Sequence, residues 1–174
     1  MSVSRGGPGA DSAPGIVVVD IDGVIADVRH RLHFLRGRQR DWDGFFGAAP
    51  DDPPLAEGRS EIERALAEGL GIVYLTGRPE RCRGATQGWL ADHGFPDAPL
   101  VMRSERDRRP ARTFKVEALR ELALSDRIAR VLDDDAAVVR AVSEAGFPVV
   151  HAGWMSDTPA EQLLLEVQEG EGRT

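Results

Sequence analysis

Two aspartates one residue apart, Asp20 and Asp22, interrupt the apolar run "GIVVVDIDGVIAD" at residues 15–27. In extended backbone, side chains two apart face the same way, so two carboxylates would repel there unless a cation or a proton intervened. Two other apolar runs end in polar groups: "YLTGR" in Thr76, Gly77 and Arg78, and "RVLDDD" in Asp133, Asp134 and Asp135. Brought to one place, these acids make an all-oxygen cluster suited to a hard cation. Mg²⁺ fits best, since it takes one or two carboxylates and leaves positions for water and a phosphate oxygen. Such a cation would neutralise the acids and polarise a phosphoryl group.

A parallel sheet would bring the three ends together. Strands are predicted at residues 16–20, 71–76, 99–103, 128–134 and 147–152, short runs that are β-branched or apolar. Between and after them, residues 57–70, 78–94, 113–124, 135–146 and 159–170 carry helical spacing, several closed by glycine. The pattern is α/β: a doubly wound, Rossmann-like, parallel five-stranded sheet, whose ligands bind outside the carboxyl ends of the strands. Residues 29–55 lack a strand signal and are too long for an ordinary connection, so they read as a small helical cap insertion after the first strand. Residues 1–14 read as a flexible leader, 15–169 as one domain and 170–174 as a tail.

With 22 Lys and Arg against 29 Asp and Glu, the net charge of −7 argues against a general nucleic-acid coat but allows a local basic site. The single cysteine, Cys82, excludes an internal disulfide and makes a reduced cytoplasmic setting the default; no apolar run reaches transmembrane length. Cys82 lacks the arginine that a Cys-x₅-Arg phosphatase loop needs, and the four histidines show no zinc spacing.

Four motifs in order carry a family resemblance. Asp20-Ile21-Asp22-Gly23 follows an apolar strand, Thr76 ends a second, Lys115 stands alone in "TFKVEAL", and paired acids end "RVLDDD". Together they resemble the haloacid dehalogenase-like phosphohydrolases. Within these, "LVMRSERDRRPARTFKVEALREL" and the "DD" segment are similar to the 3′-phosphatase domain of phage-type polynucleotide kinase/phosphatases. The chain departs from that domain at "RPARTFK", where two acids are expected ahead of the lysine, and it holds no G-x-x-x-x-G-K-[ST] kinase loop.

The resemblance implies that Asp20 is the nucleophile and that Asp22 is the acid and then the base, alongside Thr76 and Lys115. It also implies that Gly77, Arg78 and Arg103 contact substrate, with Arg31 as the arginine after the first motif and Arg29 as its competitor. The metal set would be Asp20, Asp22, Asp133 and Asp134 around Mg²⁺, with Asp135 capping the next helix. Asp20 must be ionised while Asp22 is protonated, and anionic neighbours are expected to push the proton onto Asp22.

Residues 103–115 hold six cations against two acids, which suits either a phosphate-backbone groove or a solvated loop. Trp42, Phe45 and Phe46 have the spacing of a buried helix face, with a base-stacking platform as the other reading. The expectation is a Mg²⁺-dependent phosphomonoesterase acting on polynucleotide 3′-phosphates, soluble and without membrane contact, working beside a separate kinase or ligase. A nucleotide or sugar-phosphate phosphatase and a non-catalytic phosphate-recognising nucleic-acid module are the alternatives.

Overall fold

The computed structural model describes residues 14–36 and 39–155. The expected helix over 159–170, the tail and all but the last residue of the leader lie outside the described residues.

Five parallel strands, β1 (Ile16–Val19), β2 (Gly71–Pro79), β3 (Leu100–Arg103), β4 (Ile128–Asp133) and β5 (Val149–His151), lie in the order β3-β2-β1-β4-β5. Alternation along each strand sends residues to two cores. Val17, Val19, Ile72, Tyr74 and Leu132 pack with Ile62 and Ala65 of α2 (Ala56–Ala67) and Trp89 and Leu90 of α3 (Arg83–Asp92). On the other face, Ile16, Val18, Val73, Leu75 and Val131 meet Phe114, Ala118 and Leu119 of α4 (Ala111–Leu122) and Val138 and Val142 of α5 (Ala136–Glu144). The sheet is therefore covered on both sides, as the near-continuous apolar strands require. Each fully buried aliphatic side chain contributes about 1.5–3 kcal/mol to that assembly.

Of the boundaries that differ from the sequence expectation, two do so for clear local reasons. β2 runs on to Pro79 because Pro79 pairs with Arg103 after a register shift that lets Gly77 and Arg78 bulge out of the ladder. β1 stops at Val19, and the chain then folds back tightly: the amides of Val24, Ile25 and Ala26 all donate to Ile21 O.

Residues 29–55 form helical turns: a 3₁₀ segment (Arg29–Leu35), the short helix α1 (Trp42–Gly47) and a 3₁₀ turn (Ala49–Asp51). The segment's ends are stitched together, Asp27 N to Pro53 O and Leu55 N to Ile25 O, both at 2.8 Å. Val28, Leu32, Leu35, Trp42, Phe45, Phe46 and Leu55 make a third apolar cluster, so the aromatic trio packs as core. Gly58 allows α2 to lie against the loop after β1, since a Cβ there would stand 2.0 Å from Val24 O.

Candidate active site

Asp20 continues the sheet for one more bond, its amide donating to Leu132 O at 3.0 Å, and its carboxylate lies near Asp133 and Asp134 at the end of β4. One face of α4 is buried against the sheet, and Lys115 lies on it. Lys115 Nζ donates to Asp20 Oδ2 at 2.7 Å and to Asp133 Oδ2 at 2.6 Å. Asp20, Asp133 and Asp134 each offer an oxygen within 4.8 Å of the others, all three residues buried. Three carboxylates against one ammonium leave an excess of two negative charges. Asp134 carries the imbalance most plainly: both its oxygens are buried without a hydrogen-bond partner.

Burial pushes Asp20 up to about 7, against the pull of Lys115 and with a further push from Asp133. Asp134 is raised well above the carboxylate range by burial, with Asp20 and Asp133 adding to it. Burial would lower Lys115, but Asp133 and Asp20 outweigh it and raise its pKa. A divalent cation answers this combination, since its charge matches the excess and hard oxygens suit it. Gly23 completes the pocket wall: its φ is +78°, and a Cβ there would fall 1.9 Å from Asp134 Oδ2.

Asp22 stands elsewhere. Its Oδ1 accepts from Arg31 Nη2 at 2.7 Å and from Arg78 Nε and Nη2 at 3.0 and 2.5 Å. The same arginines reach a second buried acid, Asp52, and Arg31 lies 4.1 Å over the Phe45 ring. Arg78 Nη1 also donates to Thr86 Oγ1 at 3.3 Å. Asp22 Oδ2, by contrast, is buried with no partner. Burial would raise Asp22, yet Arg31 and Arg78 outweigh it and hold it at about 2. The expectation that anionic neighbours load a proton onto Asp22 is thus corrected, because the groups nearest to it are cations. Its carboxylate also stands outside the Asp20, Asp133 and Asp134 cluster that it was expected to join as a ligand.

Thr76 is buried two residues beyond the Tyr74 and Val19 pairing, and its Oγ1 accepts from Arg78 N at 3.2 Å across Gly77. Asp135 caps α5, accepting from Ala137 N at 2.7 Å. Arg31 and Arg78 turn their forks to carboxylates. Arg29 lies apart from this cluster, half-exposed, its Nε on Asp27 Oδ1 at 2.8 Å. Arg103 braces the β3–α4 loop, donating to Arg109 O at 2.6 Å and lying 4.8 Å over the Phe114 ring. In that loop Arg109 pairs with Asp107 and Glu117, and Glu105 takes Arg81, so acids temper the local positive excess.

Asp52 escaped the sequence reading, as did His30, whose Nε2 lies 2.8 Å from Asp52 Oδ1. The one available signal was the acid pair ahead of two prolines in "PDDPPL".

Residues 14–153 match the family of the polynucleotide kinase PNKP phosphatase domain. The chain belongs to that family. It is a phosphatase of the haloacid dehalogenase type. Among solved structures, a chain of the Pnkp1/Rnl/Hen1 complex aligns with a TM-score of 0.66 at 25% identity, over 82% of this chain and 47% of that one. The phosphatase therefore spans about half the length of that relative. The class C acid phosphatase from Bacillus anthracis with tungstate bound (TM-score 0.61, 15% identity, 91% and 79% covered) shares the fold. So does a haloacid dehalogenase-like hydrolase from Streptococcus pneumoniae (0.53, 10%, 79% and 84%). No curated protein matches the chain. No helix among the described residues is long and apolar enough to cross a membrane.

Proposed function

We propose that this phosphatase is a magnesium-dependent phosphomonoesterase that passes through a phosphorylated Asp20 and removes 3′-phosphates from polynucleotide ends. The observation that carries the reading is the unlike setting of its two aspartates. Asp20 faces Lys115 and two further acids, whereas Asp22 is gripped at one oxygen by two arginines and has its other oxygen unpartnered.

Asp20 attacks phosphorus as the bond to the leaving oxygen breaks, and that oxygen takes a proton from Asp22 Oδ2. Water then attacks the phosphoryl group on Asp20 and gives its proton to Asp22. Phosphate leaves, Asp20 returns as carboxylate and Asp22 in its protonated form. In the resting chain Asp22 is ionised, at about 2. The negative charge of an arriving phosphate offsets the two arginines and raises Asp22 toward protonation, and a phosphate monoanion carries the proton in. Lys115 offsets charge on the transferring group, while Thr76 Oγ1 and the Gly77 amide hold its oxygens.

Asp20, Asp133 and Asp134 would hold Mg²⁺, the orphaned oxygens of Asp134 being the donors that most lack another partner. Bound there, the ion would favour ionised Asp20 and polarise a phosphoryl oxygen.

The polynucleotide substrate rests on the family's description and on the likeness to the Pnkp1/Rnl/Hen1 RNA repair complex, whose 24–25% identity runs over 82% of this chain. Kinase and ligase steps would come from separate units. The test is phosphate release with Mg²⁺ from 3′-phosphorylated oligonucleotides, 3′-mononucleotides and sugar phosphates, with Asp20→Asn in parallel. Release from oligonucleotide ends, abolished in Asp20→Asn, is expected. Faster release from mononucleotides or sugar phosphates would move the substrate to small molecules, and no release from any of them would overturn the reading.

A further inference from the structure

Two arginines converging on one carboxylate oxygen need something to hold their far sides, because each fork carries five donors and a flexible stem. In this phosphatase that holder is Asp52. Its Oδ1 accepts from Arg31 Nε at 2.7 Å, and its Oδ2 accepts from Arg31 Nη2 at 2.7 Å and Arg78 Nη2 at 3.0 Å. His30 Nε2 meets Oδ1 at 2.8 Å from the outer side.

Asp52 is itself held from several directions. Trp89 Nε1 of α3 donates to its carbonyl at 2.8 Å, and its own amide donates to Ala49 O at 3.2 Å. Pro53 follows and restricts Asp52 to extended backbone, where it stands with φ −62° and ψ 126°. The side chain is wholly buried. Burying a carboxylate this deeply is costly unless it is paired and hydrogen-bonded, and every hydrogen bond it accepts from a guanidinium comes from the two arginines that clamp Asp22.

We propose that Asp52 is a positioning residue for the phosphatase reaction: it sets the Arg31 and Arg78 forks so that both grip Asp22 Oδ1 and leave Oδ2 facing the leaving oxygen. This rests on the proton-carrying role given to Asp22 above. It also gives the 29–55 segment a part in the reaction, since Arg31, which reaches Asp22, is held by Asp52 and Phe45 of the same segment.

Leaving-group dependence separates this role from a merely structural one. A nucleoside hydroxyl is a poor leaving group and needs a well-placed proton; p-nitrophenolate leaves without one. Asp52→Asn should lower kcat on a 3′-phosphorylated oligonucleotide by about 10–100-fold, the cost of misplacing a reacting group by about 1 Å. On p-nitrophenyl phosphate the same variant should lose less than about 3-fold, with KM little changed on either substrate. Asp52→Glu keeps the charge on a longer stem and should fall between wild type and Asp52→Asn in the same ratio; it serves alone if Asp52→Asn does not fold.

Equal losses on both substrates, or none on either, overturn the proposal. Asp20→Asn and Asp22→Asn are measured alongside. If Asp22→Asn lacks the leaving-group dependence, or Asp20→Asn stays active, the reaction scheme itself fails. If both behave as described and Asp52→Asn does not, only the role of Asp52 fails.

Discussion

On the β4 side of the β1 end, three carboxyls face one lysine and two negative charges are left over; on the β2 side, Asp22 and Asp52 face Arg31 and Arg78 and formal charge cancels. Both clusters are buried, so neither charge count is screened by water. The consequence is opposite chemistry from one residue type two positions apart. Asp20 is held above its ordinary range and Asp22 below it. The first cluster can be completed only by added positive charge, which suits a metal. The second is complete at one oxygen of Asp22 and open at the other, which suits a group that must hand over a proton.

Breaking the second cluster at its centre should have the largest effect. Asp22→Asn removes the proposed proton carrier, and kcat on 3′-phosphorylated oligonucleotides should drop by about 10²–10⁴-fold, as measured by phosphate release. Substitution at Gly23 strikes the first cluster instead. Gly23→Ala places a Cβ against Asp134 at a φ of +78°, so it should cost roughly 2–4 kcal/mol, lower Tm by about 5–15 °C and weaken Mg²⁺ binding in calorimetry.

A milder probe leaves the sequence intact. Asp20 at about 7 lies above its ordinary 3.8, so the folded metal-free chain binds an extra proton between those values, and its stability falls as pH rises through that window. Asp22 at about 2 works the other way: its stabilisation is present above 3.8 and lost as pH falls toward 2. In chelator, Tm should therefore decline from about pH 5 to about pH 8. Added Mg²⁺ should raise Tm at the higher pH and much less at the lower, where it must displace protons. Equal Mg²⁺ effects at both would place the metal away from Asp20.

How much of this was legible differs between the clusters. The positions of Asp20, Thr76, Asp133 and Asp134 could be read because they stand at or just beyond strand ends, where a parallel sheet leaves little freedom, whereas Lys115 was singled out by motif order alone. The setting of Asp22 could not. Reading it beside Asp20 assumed extended backbone through residue 22, but β1 ends at Val19 and a tight turn rotates Asp22 toward β2. Asp52 was further out of reach. It lies beyond the short helix α1 and is held by a bond from Trp89, and the helix-face spacing of Trp42, Phe45 and Phe46 does not point on to residue 52. The arginines near Lys115 stayed open between a groove and a solvated loop, since clustering in sequence does not reveal that Asp107, Glu117 and Glu105 draw on Arg109 and Arg81.

The central claim is that Asp20, and not Asp22, takes the phosphoryl group. Acid quenching of the phosphatase during turnover, borohydride reduction of any acyl phosphate and peptide mass spectrometry test it directly. The account predicts a reduced side chain at Asp20, enriched in Asp22→Asn when an aryl phosphate is the substrate. A reduced side chain at Asp22, or an active enzyme that yields none anywhere, would contradict it.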